Sequence, residues 1–450
     1  MTTAFNRTTV GIISLVLLIA FEAMAVATAM PVAARELDGL GLYAWAFTGF
    51  LIASLFATAV AGQMCDRTGP GLPFVAGVVI FLVGLLVAGG APAMWPFVLG
   101  RMIQGIGGGT VIVAIYVIVA RAYDESVRPR VFSYMAAAWV VPSIVGPLLA
   151  GVVTEQLSWR LVFWGIAPFV VVPVVLTVPT LRRLPRTPGE RRPGRVRLAL
   201  AVAVGAAGVQ YAGQRAERSD WAVAATALVV GLVLLVPSVH RLLPPGTLRL
   251  HRGLPSVVAL RGAVAGAFFG AETYVPLMLV EHRGLSVTLA GLSLTGGALG
   301  WATGSWWQGR PALRMPRSRL VVIGSSVALV GIAVTGSAAV VTAPVVVPAW
   351  AAALGWLIAG LGMGLTMSSL SVLLFELSTV PEQGANSASL QMSDALGSVL
   401  TIGSAGVIFA LLHQSRPDTL VFSLIFAMMT VAAAGAVVVA TRVRPVARVA

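Results

Sequence analysis

Long apolar runs, broken by short polar stretches, set the rhythm of this sequence. Residues 10–30, 43–63, 72–91, 95–120, 131–154 and 160–179 form a first series of such runs, each with few charges. A second series follows at 255–280, 287–308, 320–341, 347–375, 385–412 and 420–440. A helix rising 1.5 Å per residue needs about 20 residues to cross a hydrocarbon core of about 30 Å, so each run predicts one membrane-spanning helix. Two further runs lie between the series, at 198–214 and 221–243, the former at the short end of the spanning range. If both cross, the chain makes about fourteen spans; if neither does, it makes twelve, joined by a long interfacial linker. Either count leaves both termini on the same side.

The fold class expected is therefore all-α, a polytopic membrane helix bundle. Residues 1–181 form an N-terminal six-helix bundle, 182–253 a basic linker with two additional membrane helices, and 254–450 a C-terminal six-helix bundle. Composition agrees with a membrane location: 58% of the residues are hydrophobic and 10% charged, with a mean hydropathy of +0.93. A soluble domain needs far more charged surface. The single cysteine, Cys65, excludes an intrachain disulfide. The first run is too long for a cleaved leader.

The net charge of +14 comes entirely from arginine, and lysine is absent. These arginines lie between apolar runs and not along one basic face, so they argue for topology and against a nucleic-acid partner. Arg7, Arg67, Arg121, Arg128, Arg130, the cluster at 182–197, Arg241, Arg249, Arg252, Arg310, Arg314, Arg317, Arg319, Arg442, Arg444 and Arg448 fall on one side. Arg35, Arg160, Arg215, Arg218, Arg283 and Arg416 fall on the other. Positive charge stays in the cytoplasm, which predicts an inner-membrane protein with both ends cytoplasmic. The Pro- and Gly-containing segment 182–197 predicts a polar, non-helical hinge.

The two halves echo each other. Residues 41–67 and 284–310 share their length, an opening Gly-Leu and a closing Arg. Each follows a span that carries an acid, Glu22 in one case and Glu272 in the other. The glycine-rich stretch 100–110 has a counterpart at 359–366, in the same order along the chain. Duplicated halves suit alternating access about a site near the bilayer midplane.

Ionisable groups inside a membrane are costly, so each is a functional candidate. Glu22, Glu272, Glu376 and Asp394 are the acids within or at the ends of spans. Glu22 lies about 18 Å into its helix, near the midplane. A carboxyl there is pulled toward the neutral acid by desolvation and toward the carboxylate by a nearby guanidinium, which lets it load and release a proton. Arg101 is the one arginine well inside a span of the first half. Glu272 suits a proton or a cationic substrate. Asp394 suits the cavity wall or a hydrogen bond to Ser393 or Ser398, and Glu376 a contact at a helix end.

Several motifs now resemble the major facilitator superfamily, and within it the fourteen-span drug:proton antiporters, in their actinobacterial multidrug-efflux form. Gly62, Asp66, Arg67 and Gly69 match the family's loop signature after the second span, although Pro70 and Gly71 replace its trailing basic pair. Residues 101–107, Arg-Met-Ile-Gln-Gly-Ile-Gly, match its Arg-x-x-Gln-Gly-x-Gly signature. Gly146, Pro147 and Gly151 are similar to the antiporter motif of the fifth span, whose upstream glycines are here Ala138 and Pro142. Glu22 precedes Pro31 by nine residues, as the family's acid does, with Glu in place of the commoner Asp.

The resemblance implies a monomeric, proton-coupled exporter of lipophilic or cationic small molecules, with no cofactor and no metal. It implies proton coupling by Glu22 paired with Arg101 and a cytoplasmic latch formed by Asp66 at a helix N-terminus; the buried-acid reading adds Glu272 and Asp394 to the proton-coupling candidates. An exporter of a lipid or secreted metabolite is the alternative, followed by a proton symporter for nutrients. Enzymatic readings find no support: the four histidines fall in or beside loops, no HExxH occurs, and no Walker loop is present.

Overall fold

The computed structural model describes residues 3–124, 127–182, 193–310, 315–342, 345–379 and 382–444. These residues fold into helices, joined by short turns and one hairpin in which Val341–Thr342 pairs with Val345–Val346. Chain contacts divide the molecule into two units, Met1–Ala203 and Val204–Ala450.

In the first unit α1 (Thr3–Glu36), α2 (Tyr43–Thr68), α3 (Gly71–Gly89) and α4 (Met94–Ala122) are long and continuous. The fifth apolar run does not form one helix. It divides into α5 (Arg128–Ala137) and α6 (Val140–Gln156). Pro142 explains the break, because its ring excludes the carbonyl four residues earlier, that of Ala138 in the turn. Pro168 acts in the same way on Trp164, the last residue of α7 (Arg160–Trp164), before a 3-10 turn leads into α8 (Val171–Leu181).

The predicted hinge at 182–197 is helical in part. Residues 183–192 lie outside the described residues, but α9 (Pro193–Glu217) begins inside the segment. Its Pro193 stands at the first helical position, where the missing N–H costs nothing. α9 is also longer than the short run at 198–214 suggests. It is followed by α10 (Trp221–Leu242), α11 (Leu254–Leu277) with a π-helical turn to His282, α12 (Val287–Gln308), α13 (Arg317–Ser337), α14 (Trp350–Glu376), α15 (Gln383–Leu412) and α16 (Asp418–Ala440).

Each unit wedges one glycine-rich helix between two others. In the first unit α4 packs on both α2 and α3; in the second α14 packs on both α12 and α13. A side chain at Gly105 would strike the backbone of Phe50 in α2, at Gly107 that of Phe81 in α3, and at Gly109 that of Ser54 in α2. The second unit repeats the order: Gly360 faces Gly297 of α12, Gly362 faces Ala328 of α13, and Gly364 faces Trp301 of α12. Residues two apart on a helix point about 200° apart, so alternate glycines serve opposite neighbours. The backbones approach closely on both flanks, as small residues allow in membranes.

Twelve helices among the described residues are long and apolar enough to cross a membrane, not fourteen. Both central helices, α9 and α10, belong to the twelve. The two that fall short are α6, at 17 residues, and α12, which has the length but is diluted by glycine, serine and threonine. A cysteine at Ser219, exposed between α9 and α10, tests the central pair, since the native Cys65 is buried. A membrane-impermeant maleimide is expected to label it from outside intact cells. Labelling that requires permeabilised cells would show that the pair does not cross.

Candidate functional site

Glu22 sits 15 residues after Arg7 and 14 before Glu36, halfway along the 30-residue span that α1 provides. Its side chain, with those of Arg101 and Gln104, is buried. One guanidinium nitrogen of Arg101 donates to Glu22 Oε1. The same nitrogen donates to Gln104 Oε1 at 3.0 Å, and Gln104 Nε2 donates to Glu22 Oε1 at 3.2 Å. Arg101 and Gln104, three apart on α4, lie on one helix face, so both reach the same carboxylate. Arg101 also ties in α2: its Nε donates to the Ala46 carbonyl at 3.0 Å, and its guanidinium lies over the Phe50 ring at 4.7 Å. One cation thus holds three helices together, and the expected Glu22–Arg101 pair is formed.

Gly146, Pro147 and Gly151 are buried on one face of α6, which packs on α1. Gly146 lies against Met24 and Phe21, which stand two residues after and one before Glu22 on α1. The loop-signature residues lie elsewhere in the unit. Asp66 and Arg67 are exposed at the end of α2, and no side-chain hydrogen bond or ion pair joins Asp66 to another described residue. Gly69 adopts φ +78° and caps α2 through its N–H to the Cys65 carbonyl, 3.0 Å away. Glycine favours that left-handed conformation. A side chain at Gly62 would meet open space.

In the second unit, Asp394 on α15 does not bond to a neighbouring serine hydroxyl. Ser393 donates to the Val258 carbonyl at 2.7 Å, and Ser398 to the backbone carbonyl of Asp394 at 2.9 Å. The carboxylate instead pairs with Arg261 of α11, whose Nε and terminal nitrogen both reach Oδ2, at 2.7 and 2.6 Å. Arg261 is the site residue that no motif signals; its one mark is a guanidinium inside the run at 255–280. Glu272, on the same helix, is partly exposed, and its side chain has no hydrogen-bond or ion-pair partner among the described residues. Glu376 is exposed at the end of α14.

Residues 12–401 match the Major Facilitator Superfamily. Over 411 residues the chain is 23% identical to the multidrug transporter protein MdtP of Bacillus subtilis, covering 88% of this chain and 74% of that protein. It is 28% identical over 396 residues to an uncharacterized MFS-type transporter of Mycobacterium tuberculosis, covering 85% of this chain but only 56% of the relative. Among solved structures, an auto-inhibited POT family peptide transporter superposes with a TM-score of 0.72 at 15% identity, covering 99% of this chain and 98% of its own. That likeness is one of fold. The sequence match runs from the first helix into the penultimate one, over helices that follow the course of a solved transporter, and so this multi-pass membrane protein belongs to the Major Facilitator Superfamily.

Proposed function

We propose that the chain is a secondary active transporter that exports lipophilic or cationic small molecules in exchange for protons, by alternating access. The observation that carries this reading is the buried Glu22–Arg101–Gln104 cluster. A proton arriving on Glu22 removes the charge that Arg101 holds and loosens α1 from α4; its departure restores the pair. Removing one partner from a buried ion pair is strongly unfavourable, so the two protonation states favour different packings. Similarity to a protein named as a multidrug transporter supports the direction and the substrate class. The arginine distribution supports cytoplasmic termini, and the two contact units support two bundles joined through the 182–253 region. The latch reading has Asp66, exposed at the end of α2, dock at a helix N-terminus as the cytoplasmic side closes.

One proton moving down about 100 mV and one pH unit releases about 3.7 kcal/mol, enough for a several-hundred-fold gradient. Everted vesicles are expected to accumulate substrate when energised and to lose it on adding an uncoupler. ATP depletion with the gradient clamped is expected to change nothing. Accumulation in right-side-out vesicles instead would mark a symporter. Accumulation with no ion gradient would end the secondary-transport reading.

A further inference from the structure

We infer that the arginine-rich end of the second unit holds the headgroup of an anionic phospholipid, across the ends of α11, α12, α13 and α16. The site is independent of what the chain transports.

Three contacts line these helix ends up in a row. Arg317, the first residue of α13, donates to the carbonyl of Gln308, the last residue of α12, at 2.9 Å. Arg444, beyond α16, donates through Nε to the Ser318 hydroxyl at 2.7 Å. The Gly253 N–H, just before α11, donates to the Arg442 carbonyl at 3.0 Å. The row carries Arg249, Arg252, Arg310, Arg319, Arg442 and Arg444, all exposed. They come from four stretches of chain that only the fold brings together. The loop bearing Arg249 and Arg252 is braced, since Ser256 Oγ donates to the His251 carbonyl at 2.7 Å.

None of the six makes an ion pair with a described residue. Glu376 and Glu382, on either side of the α14–α15 connection, pair with none of them; Glu382 accepts from the Thr379 hydroxyl at 2.7 Å. The first turns of α11 and α13 contain no acid. At the opposite end of the unit the pattern differs: Arg215 pairs with Asp220, and Arg283 donates to the Ala338 carbonyl at 3.1 Å. Topology asks only that arginines stay on one side. It does not gather six of them without counter-charge. Like charges so gathered repel, and a bound anion relieves them.

Depth selects a lipid over a soluble anion. Trp306 and Trp307, 61% and 43% exposed, stand at the end of α12, and exposed tryptophan marks the level of the headgroups. Arg310 lies over the Trp306 ring at 3.6 Å, so guanidinium and indole share one surface. Leu248, also exposed, adds an apolar side chain beside Arg249. A guanidinium grips a phosphate through paired N–H donors, while tryptophan and leucine meet the glycerol and upper acyl region. A zwitterionic headgroup would bring its own cation into the row, so the anionic lipid is preferred.

The test is native mass spectrometry of the purified full-length protein from micelles holding equal phosphatidylglycerol and phosphatidylcholine of matched chains. The first lipid retained is expected to be phosphatidylglycerol about tenfold more often. Arg252→Gln combined with Arg442→Gln is expected to bring that ratio within about twofold of one, each arginine contributing about fivefold. Both side chains are exposed and unpaired, so the fold does not lean on them. Arg252→Lys with Arg442→Lys keeps the charge and is expected to hold a ratio of about threefold or more. Arg218→Gln with Arg416→Gln removes the same charge from the opposite end and is expected to leave the ratio within about twofold of wild type. Excess glycerol phosphate, which has the phosphate without the tails, is expected to displace nothing. A wild-type ratio near one overturns the site. So does equal loss in the two glutamine pairs, which would reduce the effect to net charge. Displacement by glycerol phosphate overturns the lipid and makes a soluble phosphate ester the occupant.

Discussion

Protein carrying Glu22→Gln is expected to bind substrate and to lose gradient-driven accumulation, from several hundredfold to none. Glutamine fills nearly the volume of glutamate and stays neutral, so it imitates the protonated state permanently. The change loosens α1 from α4, as protonation does, without stripping the cluster of its hydrogen bonds. The new amide oxygen can accept from Arg101 and Gln104, while Arg101 keeps the Ala46 carbonyl, the Gln104 oxygen and the Phe50 ring. The helix assembly should therefore survive, and so should substrate counterflow, which needs no net proton movement. Glu22→Asp should retain part of the coupling, since it still titrates but reaches one methylene less far. The measurement is proton-coupled uptake by purified protein in liposomes. Coupling near the wild-type level would move the proton site away from Glu22, toward Asp394 or Glu272.

Arg101→Ala should cost both function and stability, by about 3–5 kcal/mol. The loss is larger than that of a single surface pair because three helices lose a common tie and a buried carboxylate loses its counter-charge. Thermal unfolding in detergent measures it. The second substitution decides the cause: adding Glu22→Gln to Arg101→Ala removes the stranded charge and should recover much of the stability. If the double variant is as unstable as Arg101→Ala alone, Arg101 acts through packing on Phe50 and Ala46, not through the charge of Glu22.

The Glu22–Arg101 pair was legible because a charge inside an apolar run has few explanations, and a motif named its partner. Gln104 came with the motif, but its bond to Glu22 needed the helix phase and the approach of α1. Arg261 was not legible. Six residues inside the run at 255–280, a long arginine can still reach back to the interface, and the carboxylate that holds it lies on α15, 133 residues away. The break between α5 and α6 was written in Pro142, yet hydropathy averages across a proline as though it were any other residue. Helix order and the paired glycine runs were readable because lipid leaves the backbone little choice but helix. Which neighbour each glycine serves was not, since that depends on helices brought together from distant parts of the chain.

The polar dilution of α12 has a consequence for how the chain is made. Insertion into the bilayer follows the apolarity of each emerging segment, and α12 falls short by that measure. Its glycine face is covered by α14, which begins 42 residues after α12 ends. At the moment of its synthesis α12 therefore lacks the helix that makes it at home in the membrane. Its integration is expected to draw on α14 more than on its own apolarity, and a chain ended before Trp350 should hold α12 in the bilayer less firmly than the full-length chain does.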